Sequence, residues 1–135
     1  MTQSYLVDAV ANSDQYEAFD RVVSTICDYR DLPENWDYEG GRPPSEMTLR
    51  FAVDLLGLLR SVPEVTPPTV APISGGVFLQ WELGARRLYF EIEQDSVLTA
   101  VCEGGKAQSA EDRGFDRGRA VQAVLDFHRP SMQAG

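Results

Sequence analysis

Residues 69–103, TVAPISGGVFLQWELGARRLYFEIEQDSVLTAVCE, decide the fold. Three turn signals, Gly75-Gly76, Gly84-Ala85-Arg86 and Gln94-Asp95-Ser96, cut this stretch into four short runs rich in β-branched and aromatic residues. That is the pattern of an antiparallel meander of four strands joined by tight hairpins. Residues directly opposite across an antiparallel pair lie on one face, so each turn predicts a register. A turn at Gly75-Gly76 sets Pro72 against Leu79 and Val70 against Trp81. A turn centred on Ala85-Arg86 sets Leu83 against Leu88, Trp81 against Phe90 and Leu79 against Ile92. Both registers turn Val77, Leu79, Trp81, Leu83, Leu88, Phe90 and Ile92 inward. The opposite face carries Phe78, Gln80, Glu82, Arg87, Tyr89, Glu91 and Glu93, with Glu82 beside Tyr89 and diagonal to Glu91. The sheet thus has one dry side and one wet, acidic side. In the fourth run, alternation leaves two choices open: Val97, Thr99 and Val101 inward, or Leu98, Ala100 and Cys102.

Upstream, residues 1–11 carry weak patterning, read as a loose arm or as a short edge strand at Tyr5-Leu6-Val7. A helix is predicted over 12–30, capped by Asn12 with Gln15 three residues on. Its apolar stripe is Tyr16, Phe19, Val22, Val23, Ile26 and Tyr29. The Pro- and Gly-rich loop LPENWDYEGGRPPS, residues 32–45, follows. There Trp36 is expected to tuck into the core, and Asn35 and Asp37 suit local side-chain-to-backbone turns. Ser45 caps a second helix over 46–62, with Glu46 in its first turn. Phe51, Ala52, Leu55, Leu58, Leu59 and Val62 form its main face, and Leu49, Val53 and Leu56 widen it. So broad a face fits a helix wedged between layers, or one paired with a second copy.

Downstream, Gly104-Gly105 is a turn, and 104–115 reads as a flexible connector. A last helix over 116–128 presents Ala120, Val121, Val124, Leu125 and Phe127. It either docks on its own sheet or swaps onto a neighbour, and 129–135 reads as a frayed tail. The expectation is a single α+β domain ordered α-α-β-β-β-β-α, its helices mainly on one face of an antiparallel sheet.

Composition narrows the function classes. An apolar fraction of 43% over 135 residues supports one well-filled core. With 21 acidic against 12 basic residues the formal charge is −9. Such a surface repels phosphate backbones and favours encounter with a basic protein partner. No run approaches the roughly 20 apolar residues of a membrane span. The opening MTQSYLVDAVANSD lacks the pattern of a secretory signal. Cys27 and Cys102 read as two buried thiols in a reducing cytoplasm; the alternative, a disulfide, requires their two elements to touch.

The run Leu32-Pro33-Glu34-Asn35-Trp36-Asp37 precedes a Gly/Pro loop and a Ser-initiated helix. Further on come Pro67-Pro68-Thr69-Val70-Ala71-Pro72 and Gly75-Gly76-Val77-Phe78-Leu79-Gln80-Trp81-Glu82. Over roughly residues 20–103 this resembles a loose group of small, uncharacterised bacterial proteins, some on mobile elements. They share an LPxNWD loop and a GGxxLxW hairpin. In that group the loop usually continues with a small residue and one Gly, from which Tyr38-Glu39-Gly40-Gly41-Arg42 departs. The resemblance implies a structural motif and carries no activity.

No motif for chemistry stands out. His128, the single histidine, sits at a helix end, where the dipole favours a cation, and lacks an evident nucleophile. One His and two separated Cys fit no zinc spacing, and no cofactor is expected. The wet face balances its acids with Arg86 and Arg87. Its Phe78, Gln80, Glu82, Tyr89, Glu91 and Glu93 have the character of a protein-binding patch: aromatics in an acidic rim. The leading expectation is therefore a non-enzymatic, acidic protein-binding module in the cytoplasm: an inhibitor, immunity or antitoxin-type partner, or accessory subunit. One alternative is a ligand-binding protein or enzyme using Glu34, Asp37 or Glu39 beside Trp36. The other is an architectural homodimer formed through the second helix.

Overall fold

The computed structural model describes the backbone of residues 2–94, 96–114 and 116–129, and the side chains of these from Asp14 onward. The predicted tail beyond Arg129, Asp95 of the third turn and Phe115 of the predicted connector lie outside the described residues. Helix α1 spans Thr2–Asp28 and passes into a 3-10 turn, Tyr29–Asp31. Helix α2 spans Glu46–Leu59. Strands β1 (Thr69–Ile73), β2 (Gly76–Leu83), β3 (Arg86–Glu93), β4 (Ser96–Glu103) and β5 (Lys106–Arg113) follow, then helix α3, Arg117–His128. The fold is α+β, with a purely antiparallel sheet in the order β1-β2-β3-β4-β5.

Two sequence expectations change here. The arm over 1–11 is helical from Thr2, because no Gly or Pro interrupts the chain before Pro33. Asn12 consequently lies inside α1 rather than capping it. Gln15 serves α2 instead, its Nε2 donating to the carbonyls of Arg60 and Val62 at 3.0 and 2.8 Å. The flexible connector over 104–115 is largely a fifth strand. Gly104 and Gly105, at φ 58° and 79°, form a hairpin turn of the kind that matches strand twist, and Glu103 pairs with Lys106.

Both predicted hairpin registers are offset by two residues. Val70 faces Leu79 and Pro72 faces Val77, around Ser74-Gly75. Trp81 faces Leu88, Leu79 faces Phe90 and Val77 faces Ile92, around Gly84-Ala85. A shift of two leaves every side chain on its own face. Val77, Leu79, Trp81, Leu88, Phe90 and Ile92 are all buried, and Leu83 packs against them half-buried. Gly76 is required where it stands, because a Cβ there would meet the Ile92 carbonyl oxygen at 2.2 Å. On β4, Val97, Thr99 and Val101 stand opposite Ile92, Phe90 and Leu88 and share the inner face.

The helices cover that inner face. Phe19 and Ile26 of α1, Leu55, Leu56 and Leu59 of α2, and Ala120, Val124 and Phe127 of α3 join the strand residues in one core. Leu49 and Leu56, the widened side of α2, are both buried, which fits a helix wedged between its neighbours. Leu58, expected on the buried face, is 52% exposed. Ser45 caps α2 by accepting from Thr48 N. Polar ties help dock helix α3, among them Arg117 to Asp54 of α2 at 3.3 Å and Arg119 to Asp112 of β5 at 2.9 Å. Arg86 Nη1 donates to Phe127 O at 2.9 Å, with its guanidinium carbon 4.6 Å from the Phe127 ring centroid. Arg129 pairs with Glu64. His128 Nδ1 lies 2.8 Å from Val124 O, and its Nε2 accepts from Thr66 N at 3.4 Å. Thr66 O in turn accepts from Trp81 Nε1 at 2.7 Å. The single histidine is thereby built into the scaffold, holding α3 to the segment before β1.

Candidate functional site

The outer face of the sheet is a grid set by backbone pairing. One row runs Ala71, Phe78, Glu91, Leu98, Glu111 across the five strands. The next runs Thr69, Gln80, Tyr89, Ala100, Ser109, and a third runs Glu82, Arg87, Cys102, Ala107. Phe78 and Tyr89, diagonal neighbours, bring their ring centroids to 5.5 Å at a tilt of 37°, within the separation at which aromatic pairs attract. Arg87 lies with its guanidinium carbon 6.0 Å from the Tyr89 centroid. Its Nη2 also approaches Cys102 Sγ at 3.9 Å. Gln80 Nε2 donates to Glu82 Oε1 at 2.9 Å. Ala100, small and flanked by Tyr89 and Ser109, is only 1% exposed although it lies on this face.

Among the described residues no helix lies over this face. Phe78, Gln80, Tyr89, Glu91 and Leu98 are half-buried, and Glu82 is exposed. Phe78, Gln80, Glu82, Tyr89 and Glu91 thus stand together. Glu93 is set apart at the sheet end, where it borders a small cleft with Arg42, Ser45 and Ser74. Glu82 stands opposite Arg87 rather than Tyr89, a consequence of the two-residue register offset. Arg86, expected to balance the acidic face, lies on the inner side. Alternation in β4 allows either facing, and the β3–β4 pairing places Leu98 and Ala100 on the outer face.

The loop after α1 has its own architecture. Asn35 N donates to Gly41 O at 2.7 Å, and Gly40 N to Asn35 Oδ1 at 2.7 Å. Asp37 Oδ1 accepts from Glu39 N at 3.0 Å and from Gly41 N at 2.7 Å. Those amides, Glu39 first and then Gly41, hold the Asp37 carboxyl below its ordinary 3.8. Trp36 is half-buried rather than a core anchor. Its indole clasps the loop, with Nε1 donating to Arg42 O at 2.9 Å. Arg42 O also accepts from Gly75 N at 2.8 Å, and Arg42 N donates to Ser74 Oγ at 3.1 Å, which stitches the loop to the β1–β2 turn. Glu34 and Glu39 are exposed. Asp37 therefore acts as a loop-forming group.

Among the described residues no three His, Cys, Asp or Glu side chains group as metal ligands. Both cysteines are free thiols, and neither is buried as expected: Cys27 is exposed and Cys102 half-buried. An open cleft of about 680 Å³ between Leu58 and the start of α3 is lined by Arg113, Asp116, Arg117 and Gly118, away from the loop carboxylates. Among the described residues no helix is long and apolar enough to cross a membrane.

Fold and site define an antiparallel sheet covered by helices on one side and bare on the other. No protein-family model, no curated protein and no solved structure matches the chain.

Proposed function

We propose that this chain is a non-enzymatic protein-binding module that receives a basic protein partner on the bare sheet face. One observation carries the reading. The paired Phe78 and Tyr89 rings, in tilted contact, stand in a row-and-column setting of Glu82, Glu91 and Glu111 with no helix above them among the described residues. An apolar centre with an ionic rim supplies contact area and steering together. The formal charge of −9 extends the attraction for a cationic partner beyond the patch. In a cytoplasmic bacterial or mobile-element setting, such a module acts as an inhibitor, an immunity or antitoxin-type partner, or an accessory subunit. No structural observation favours the ligand-site reading, since the loop carboxylates do not converge. For the homodimer reading, Leu49 and Leu56 of α2 are buried within the chain, which leaves Met47 and Leu58 as the exposed apolar side chains of that helix.

Affinity purification from the native host at low and moderate salt tests the proposal. The wild-type chain should retain a basic protein at stoichiometric amounts. The Phe78→Ala/Tyr89→Ala and Glu82→Gln/Glu91→Gln variants should lose it. A partner held equally by all three forms, or no stoichiometric partner at either salt, refutes the reading.

A further inference from the structure

We propose that Tyr38 is a docking anchor. The rigid loop 35–42 holds its ring clear of the protein to enter an apolar pocket, rimmed by lysine or arginine, on another protein. The inference goes beyond the sheet face and does not require it. Tyr38 is 91% exposed, the most exposed of the large apolar side chains described. It also has a φ of 61°, a conformation in which a bulky residue is a genuine outlier. Glycine adopts that conformation without penalty, and the loop uses one two residues later, Gly40 at φ 84°. Exposure and backbone strain both oppose stability, so the side chain at 38 does nothing evident for the fold.

The surrounding residues hold the tip rigid. Asn35 and Asp37 tie the amides of Glu39, Gly40 and Gly41. Tyr38 N donates to Asn35 O at 3.1 Å. Gly41 leaves room for this clasp, since a Cβ there would lie 2.6 Å from the Asp37 carboxylate. Strain maintained by a network that over-determines it is characteristic of ligand clamps. Tyrosine brings large contact area at low conformational-entropy cost, and a preorganised loop reduces that cost further. The chemistry of the partner follows from charge. Glu34 and Glu39 are exposed in the same loop, and Asp37 carries a stabilised negative charge. A pocket rimmed by cations matches this setting, whereas an acidic rim would be repelled.

The test has two arms. Thermal melts compare the wild type with Tyr38→Gly, which should melt about 3 °C higher as strain is relieved; a lower melting point would make the ring a structural element and overturn the proposal. In the second arm, a random-peptide phage library is selected on the wild-type protein. Enriched peptides should carry Lys or Arg around apolar residues and bind Tyr38→Ala about tenfold more weakly or worse. They should bind Phe78→Ala/Tyr89→Ala unchanged. Peptides that are acidic, that bind Tyr38→Ala as tightly as wild type, or that fail to enrich at all overturn it. Peptides depending on Phe78 and Tyr89 but not on Tyr38 sustain the sheet-face reading and defeat this one.

Discussion

Tyr89 and Phe90 are neighbours in sequence and point to opposite sides of β3, so truncating each to alanine separates fold from function. Phe90 is fully buried and meets Trp81 edge to face, with ring centroids 5.7 Å apart at 85°. Its removal leaves a cavity between rigid strands and costs about 4 kcal/mol. Tyr89 is half-buried. Its contacts are the Phe78 ring, worth about 0.5–1.5 kcal/mol, and the distant Arg87 guanidinium, worth at most about 0.5 kcal/mol. Tyr89→Ala should therefore cost about 1–1.5 kcal/mol. Against a total stability of about 5–15 kcal/mol the first loss endangers the fold and the second does not. Urea unfolding followed by tryptophan fluorescence measures both. With a slope near 2 kcal/mol/M, the midpoint should fall by about 2 M for Phe90→Ala and by about 0.6 M for Tyr89→Ala. Equal shifts would mean that the outer face is part of the core or lies under another element. No surface would then be spare for a partner.

Three further perturbations address the parts that position the two surfaces. Asp37 has a folded-state pKa below its unfolded one, so its stabilising effect on the loop is complete above the ordinary carboxylate value of 3.8 and is lost as pH falls through the depressed value. Amide protection factors at Glu39 and Gly41, with the intrinsic pH dependence of exchange divided out, should fall on acidification in the wild type and lose that dependence in Asp37→Asn; an identical profile in both would remove Asp37 from the loop's design. Arg86→Met should cost about 1.5–2 kcal/mol by deleting the donor to Phe127 O and loosening the ring contact. Exchange mass spectrometry should show the effect in the last turn of α3 and not in α2. Trp81→Phe leaves the Thr66 carbonyl without its indole donor and should cost about 2–3 kcal/mol in the same urea assay. A change below about 0.5 kcal/mol would show that this hydrogen bond does not help hold the segment before β1.

The sidedness of the sheet was legible in the sequence, while the registers were not. Alternation has a period of two, so any even shift preserves which side chains face the core. Opposing Leu79 to Phe90 or to Ile92 satisfies it equally. The choice lies in turn geometry. Gly75 and Gly84 take φ values of 72° and 62° and close turns at Ser74-Gly75 and Gly84-Ala85, one residue earlier than composition implies. Strand β5 escaped for a different reason. KAQSAEDR has no β-branched or aromatic residue and is exposed along nearly its whole length, so neither propensity nor alternation marks it. Its pairing with β4 comes from the backbone, and the Gly104-Gly105 turn was its one signal. Charges along an outermost strand also discourage edge-to-edge pairing. The loop contacts of Asn35 and Asp37 were within reach of sequence reasoning because such side chains favour local turns. The left-handed Tyr38 was not, since nothing in its residue type favours that conformation.

The same carboxylates that rim the outer face also govern which molecules stay off it. A second copy of this chain brings another charge of −9, and a face-to-face pairing would set Glu82, Glu91 and Glu111 against their own equivalents. Like charges brought together away from water cost several kcal/mol, enough to offset the apolar gain from Phe78, Tyr89 and Leu98. A basic partner meets the reverse balance: its lysines and arginines neutralise the carboxylates while its apolar groups cover the rings. Interleaving Glu91 between Phe78 and Leu98 along one row thus does two things with one arrangement. On the proposed reading it disfavours face-to-face pairing of two copies and selects a basic occupant. A uniformly polar face would achieve only the first, and a uniformly apolar one only indiscriminate docking. The mixture is the physical basis for reading this face as an interface rather than as ordinary solvated surface.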